Sequence, residues 1–197
     1  RPIYKEKLRL RSYGVPQDGS TVFLELKKKY RGVGTKRRVS MTYAEAMEYL
    51  ATGKHPADLL LFINEQILRE IDYYRFHHPV KPCTYVSYFR NAYSGIVDPT
   101  FRVTFDSDVL TRRYDLDLQK GRYGDPIFSP GKMLLEVKFT NAVPLWFARI
   151  MSEFGLSFHS FSKYGTAYRQ NAYNQALAGA DLNDTQKKQQ FYFPKEI

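Results

Sequence analysis

The sequence holds one cysteine, Cys83, so no internal disulfide can form, and no Cys/His spacing suits a structural zinc site. That usage fits a reducing, cytoplasmic setting. It also lacks any apolar run of about 18 residues, and nothing at its start resembles a signal peptide, which excludes a membrane-spanning helix. Carboxylates are scarce relative to cations: 20 Asp+Glu stand against 30 Lys+Arg, a formal charge of +10. Yet 43% of the 197 residues are hydrophobic and 16% aromatic, which excludes disorder and suffices for one domain with a core. A folded chain this basic calls for an anionic partner.

The chain opens on Arg1 and runs almost at once into a strand pattern, the expectation being that N-terminal strands are missing from it. From Lys5 to Tyr13, Lys5, Lys7, Arg9 and Arg11 alternate with Glu6, Leu8 and Leu10, the period-two signature of a strand with one basic face. A turn at Gly14–Gly19 leads to Thr21–Lys29, where Val22, Leu24 and Leu26 oppose Phe23, Glu25 and Lys27. Thr35–Ser40 is a third short strand bearing Lys36 and Arg38. Thr42 and Glu45 form the signature of a capped helix that Gly53 ends, and a second helix is predicted from near Pro56 to Phe76 on Leu60, Ile63, Ile67 and Ile71. Strands resume at Tyr85–Asn91 with Arg90, at Phe101–Asp106 with Arg102, and at Lys132–Thr140 with Glu136 and Lys138. Helices over about 142–154 and 164–177 follow, and the residues after Ala180 read as a polar tail.

One face of these six strands collects Lys7, Arg9, Arg11, Lys27, Lys36, Arg38, Arg90, Arg102 and Lys138, with few carboxylates besides Glu25, Asp106 and Glu136. Like charges this dense repel within the Debye length of about 10 Å at 0.1 M salt. The apolar faces need cover that the helices can supply. The expected fold is therefore α+β, an antiparallel β-barrel tunnel of about eight strands when complete, with a charged interior and helices packed outside. Its expected extent is 1–180, with 181–197 as the tail. Arginine binds phosphate oxygens through a planar fork, so the basic face points to phosphate. Glu136 among cations either holds a divalent metal that bridges phosphates or is an ion-pair partner for Arg9 or Lys138.

The runs EKLRLRSYG (Glu6–Gly14), FLELKKKYRG (Phe23–Gly32), KRRVS (Lys36–Ser40), YVSYFRNAY (Tyr85–Tyr93), FRVTFD (Phe101–Asp106), LLEVKF (Leu134–Phe139) and SFSKYG (Ser160–Gly165) resemble the catalytic domain of vacuolar transporter chaperone polyphosphate polymerases and their bacterial relatives, in the triphosphate tunnel metalloenzyme superfamily. The resemblance covers the chain to Gly179. It implies a tunnel that binds ATP and polyphosphate or tripolyphosphate with Mn²⁺ or Mg²⁺ and moves the γ-phosphate of ATP onto a growing polyphosphate chain. It implies Arg9, Arg11, Arg90, Arg102 and Lys27 as the residues that act on the phosphates, with Lys36 and Lys163 on the chain and Glu136 on the metal. Lys7, Arg38, Lys138 and Ser162 complete the expected phosphate-binding set. A cytoplasmic protein, held at a membrane only through a partner, is the matching location.

Two other readings stay open. A hydrolase of tri- or polyphosphate or of nucleoside triphosphates would differ only in which oxygen attacks. A non-catalytic module for polyphosphate or nucleic acid would also use a basic groove, but a nucleic-acid groove wants stacking rings on the basic face. Tyr13 and Tyr88 lie there, whereas Phe101, Phe105 and Phe139 fall opposite, where they are expected to pack under helices, which speaks against nucleic acid. His77 and His78 read as a helix end, Cys83 as structural or neutral, Trp146 as core; Ser87 and Ser162 lack a nearby histidine for a triad.

Overall fold

A computed structural model describes residues 3–57, 62–140 and 142–179. The chain divides into two compact units: Arg1–Tyr85 with Arg112–Tyr123, and Val86–Thr111 with Gly124–Ile197. Among the described residues the secondary structure is α+β, as expected, with two antiparallel sheets of three and four strands and four α-helices. The polar tail expected over 181–197 lies outside the described residues.

In the first unit β1 (Tyr4–Arg11), β2 (Thr21–Tyr30) and β3 (Val33–Thr42) pair antiparallel in that order. β3 starts earlier than the glycines suggested: Arg31 and Gly32 both have positive φ, 46° and 93°, the backbone of a two-residue hairpin turn that lets Tyr30 pair directly with Val33. One face of this sheet is the core. Val22, Leu24, Leu26, Val39 and Met41 are buried against Tyr43, Ala46 and Tyr49 of α1 (Tyr43–Thr52) and Ile67, Leu68 and Ile71 of α2 (Phe62–His77). α1 carries the expected capping box: the Glu45 N–H donates to Thr42 Oγ1 at 3.3 Å and the Thr42 N–H to Glu45 Oε2 at 2.8 Å. Gly53 closes it at φ 82°. Pro56 itself is not helical, and α2 is described from Phe62; residues 58–61, over which the helix predicted from near Pro56 would enter, lie outside the described residues.

Arg112–Tyr123 belongs to the same unit. Buried Arg112 donates to the carbonyls of Asp115 (2.8 Å), Gly121 and Tyr123 (both 2.9 Å) and Asp117 (3.2 Å), and lies over the rings of Tyr85 and Tyr123. Tyr43 in turn donates its hydroxyl to Asp117 at 2.7 Å, tying the segment to α1.

In the second unit β5 (Arg102–Arg112) pairs with β4 (Tyr85–Ser94), with the two-residue β6 (Asp125–Pro126) and with β7 (Leu134–Lys138). β5 runs beyond the predicted end at Asp106 because Asp108 sits at φ 46°, a local kink that breaks strict alternation and hides the continuation from a period-two reading. Phe101 packs on Phe147 and Met151 of α3 (Leu145–Glu153), with Val103, Leu135 and Val137 alongside. Two expectations fail here. Trp146 is 57% exposed and meets Phe101 and Phe147 only edge-on, and Phe105 and Phe139, 36% and 41% exposed, are not covered by helices. α3 has apolar residues on both sides, and the side with Phe147 and Met151 is the one that is buried. α4 (Lys163–Gly179) completes the unit. Among the described residues no helix is long and apolar enough to cross a membrane.

Replacing Phe147 with Ala is expected to cost about 3–5 kcal/mol as a core truncation, and Trp146→Ala only about 1 kcal/mol from lost edge contacts. Urea unfolding followed by circular dichroism measures both; equal losses would restore Trp146 to the core.

Candidate functional site

In the first unit the strand register turns the sequence pattern into rows across the sheet. Lys7, Lys27 and Lys36 stand side by side on β1, β2 and β3; the next row is Arg9, Glu25 and Arg38; the next is Arg11, Phe23 and Ser40. Adjacent strands are about 4.8 Å apart, so each row is a line of close neighbours. The lysine row has three like charges directly opposite one another, an arrangement that is destabilising unless an anion joins it.

The arginine row supplies its own anion. Glu25, expected only as a minority carboxylate on an exposed basic face, is fully buried. Arg9 donates to its Oε2 through Nε (2.8 Å) and Nη2; Arg38 donates to Oε1 through Nε (2.8 Å) and Nη2 (2.5 Å); Lys36 Nζ reaches the same Oε1 at 2.8 Å. Burial pushes the Glu25 carboxyl up, but the hydrogen bonds from Lys36, Arg9 and Arg38 outweigh it and hold it at about 2. The carboxylate is therefore ionised throughout the neutral range. Its contribution to stability is complete above the ordinary value of 4.5 and is lost only as pH falls towards 2. The Arg38 guanidinium also stacks over Phe23, 4.7 Å from the ring centre.

Lys27 and Arg11 make no ion pair among the described residues. Burial, then the charge of Arg9, and further those of Lys36 and Arg11, pull the Lys27 ammonium down to about 8 against the pull of Glu25. Lys7 is lowered in the same way, by burial and then Arg9.

The second unit repeats the device with different residues. Asp106 on β5 is fully buried, and Arg90 on β4 grips both its oxygens, Nε to Oδ1 at 2.6 Å and Nη2 to Oδ2 at 2.7 Å. Lys163 Nζ, from the first turn of α4, reaches Oδ2 at 2.5 Å. Burial raises the Asp106 carboxyl, but the bonds from Arg90 and Lys163 prevail and leave it lowered. Both cations also face the Tyr88 ring, at 5.0 and 4.6 Å. The SKYG motif gains a structural meaning: Ser162 Oγ accepts the Gly165 N–H at 3.1 Å at the start of α4, and a Cβ on residue 165 would sit 3.3 Å from that oxygen. Ser162 thus satisfies a backbone N–H in the first turn of α4, next to Lys163.

Arg102 is exposed and pairs across strands with Lys138, two cations face to face. Glu136 lies beside them but is bound loosely, with Arg90 Nη2 and Lys138 Nζ both at 3.3 Å and its side chain 38% exposed. Of the two partners foreseen for it, Lys138 is one; Arg9 is engaged with Glu25 instead. Among the described residues no cluster of three or more His, Cys, Asp or Glu could hold a metal ion. A hard cation can, however, be held by one carboxylate plus the phosphates of a substrate, and Glu136 has the exposure and spare acceptor capacity for that. Glu25 and Asp106 do not, since cations occupy both oxygens of each.

Sequence reasoning missed Glu25 and Asp106 as anchors and Tyr88 as the ring beneath Arg90 and Lys163. The available signal was a carboxylate set among cations in each face: Glu25 in the first, Asp106 beside Glu136 in the second.

If Lys27 binds phosphate, tripolyphosphate affinity is expected to fall about tenfold between pH 7 and pH 9, because its ammonium is pulled down to about 8. Calorimetric titration checks it; Lys27→Arg, which stays charged, should flatten the profile, and a wild-type affinity constant over that range would refute the assignment.

Each unit thus carries a strand face on which cations are ordered around a buried carboxylate. No curated protein matches the chain. The family model of the VTC domain matches residues 1–171. The chain therefore belongs to the VTC domain family, which is linked to polyphosphate synthesis.

Proposed function

We propose that the protein is a metal-dependent polyphosphate polymerase, which transfers the γ-phosphate of ATP to a growing polyphosphate chain within a basic tunnel. The observation that carries this reading is the pair of strand faces on which arginines and lysines are ordered around a buried carboxylate, Glu25 in one unit and Asp106 in the other. Phosphoryl transfer passes through a loose transition state with charge spread over equatorial oxygens, so fixed cations are the principal requirement. No nucleophilic side chain is needed, because the acceptor is itself a phosphate.

In the first unit Arg9 and Arg11 bind phosphate oxygens, Lys27 adds a point charge that tolerates movement of a chain along the lysine row, and Lys36, tied to Glu25, adds its charge at a fixed place. In the second, Arg90, Arg102 and Lys163 orient a phosphate group, with Arg90 and Lys163 already held by Asp106. Mn²⁺ or Mg²⁺, held by Glu136 together with substrate phosphates, would neutralise charge that develops on the phosphate oxygens.

Incubation of the protein with ATP and Mn²⁺, followed by phosphorus NMR, should show the internal phosphate signals of a polymer. Glu136→Ala and Arg90→Ala are each expected to reduce the rate at least a hundredfold. Free phosphate with no polymer would assign the hydrolase instead, and tight tripolyphosphate binding without turnover would leave a binding module.

A further inference from the structure

Glu25 sits on the middle strand of its sheet, in one row with Arg9 and Arg38, and its side chain is 0% exposed while theirs are 31% and 34% exposed. Each arginine turns the same edge inward, Nε and Nη2, onto a different oxygen of the one carboxylate. Two long side chains are thereby fixed in plane and direction, Arg38 with the added restraint of its stack on Phe23, and the remaining edge of each fork is turned away from Glu25. Fixing the forks before a ligand arrives removes the cost of ordering them from binding.

We propose that Glu25 is a positioning residue for the phosphate site: it touches no phosphate and holds no metal, but sets the orientation in which Arg9 and Arg38 meet phosphate oxygens. This rests on the phosphate-site reading above. It competes with a simple electrostatic account, in which Glu25 only subtracts one charge from the face. The two accounts differ in sign. If Glu25 acts through charge alone, removing its charge makes the site more positive and tightens anion binding; if it positions the arginines, removal weakens binding despite the added positive charge.

The test is calorimetric titration of the full chain with tripolyphosphate at pH 7 and fixed salt, for wild type, Glu25→Gln and Glu25→Asp. Glu25→Gln is expected to raise Kd at least tenfold, and Glu25→Asp, which restores the charge on a shorter arm, to lie between it and wild type. Binding by Glu25→Gln as tight as wild type, or tighter, overturns the proposal. Should Glu25→Gln fail to fold by circular dichroism, ¹⁵N NMR of the wild-type arginine Nε–H groups decides. Slowly exchanging signals from Arg9 and Arg38, assigned with Arg→Lys variants, must persist at saturating tripolyphosphate, and their loss on binding would mean that phosphate displaces Glu25. A wild type that does not bind tripolyphosphate at all overturns the phosphate-site reading and this inference with it, an outcome distinct from tight binding that ignores Glu25.

Discussion

A β-sheet face that places cations at every second position works against its own folding, and the buried carboxylate is what makes each face here compatible with a stable strand register. Three strands bring Lys7, Lys27 and Lys36 into one row and Arg9 and Arg38 into the next. Charges that close repel even in saline solution. Taking an ionised carboxylate out of water is itself costly, and it succeeds only when its lone pairs are well matched by donors. Glu25 meets that condition with two arginine forks and a lysine, Asp106 with one fork and a lysine. Each unit reaches this arrangement within its own sheet, and each puts its apolar core on the opposite face of those strands, which is why strand alternation organises both the stability and the chemistry.

What the sequence makes legible is whatever depends on spacing alone. Alternation places Val22, Leu24 and Leu26 opposite Glu25 and Lys27, and the capping box at Thr42 and Glu45 marks the helix start to the residue. Spacing fails where a single residue leaves the regular backbone: Asp108, in a left-handed conformation, cuts β5 into two patterns, and the second half reads as loop. It also fails where two faces of an element are equally apolar. On α3, Trp146 and Phe147 are both candidates for the core, and only packing against Phe101 decides for Phe147.

The candidate site was legible as a set of cations and opaque as an arrangement. A glutamate among lysines reads equally well as a solvated residue, a metal ligand or an anchor, because burial is not encoded in period-two spacing. Glu25 and Glu136 occupy similar contexts in sequence, each on the charged side of an amphipathic strand, yet one is sealed by three cations and the other keeps spare acceptor capacity. Their different neighbours across the strands explain the difference: Glu25 lies between two arginines on a central strand, whereas Glu136 faces Thr104.

The division of labour between arginine and lysine follows from the same constraint. A guanidinium offers two edges, so it can be tied to a buried carboxylate by one and still present the other to a phosphate. An ammonium has one point of charge, and once tied it has less to give. Arg9 and Arg38 are accordingly the residues bound to Glu25 along a whole edge, while Lys27, in the next row, keeps no ion pair among the described residues, and burial and its cationic neighbours make its ammonium easier to deprotonate. On the proposed function, anchored forks would fix where a phosphate group rests, and unanchored lysines would add attraction without fixing direction. A chain of repeating phosphates would call for both, because it would have to be held in register for transfer and yet advance by one unit afterwards.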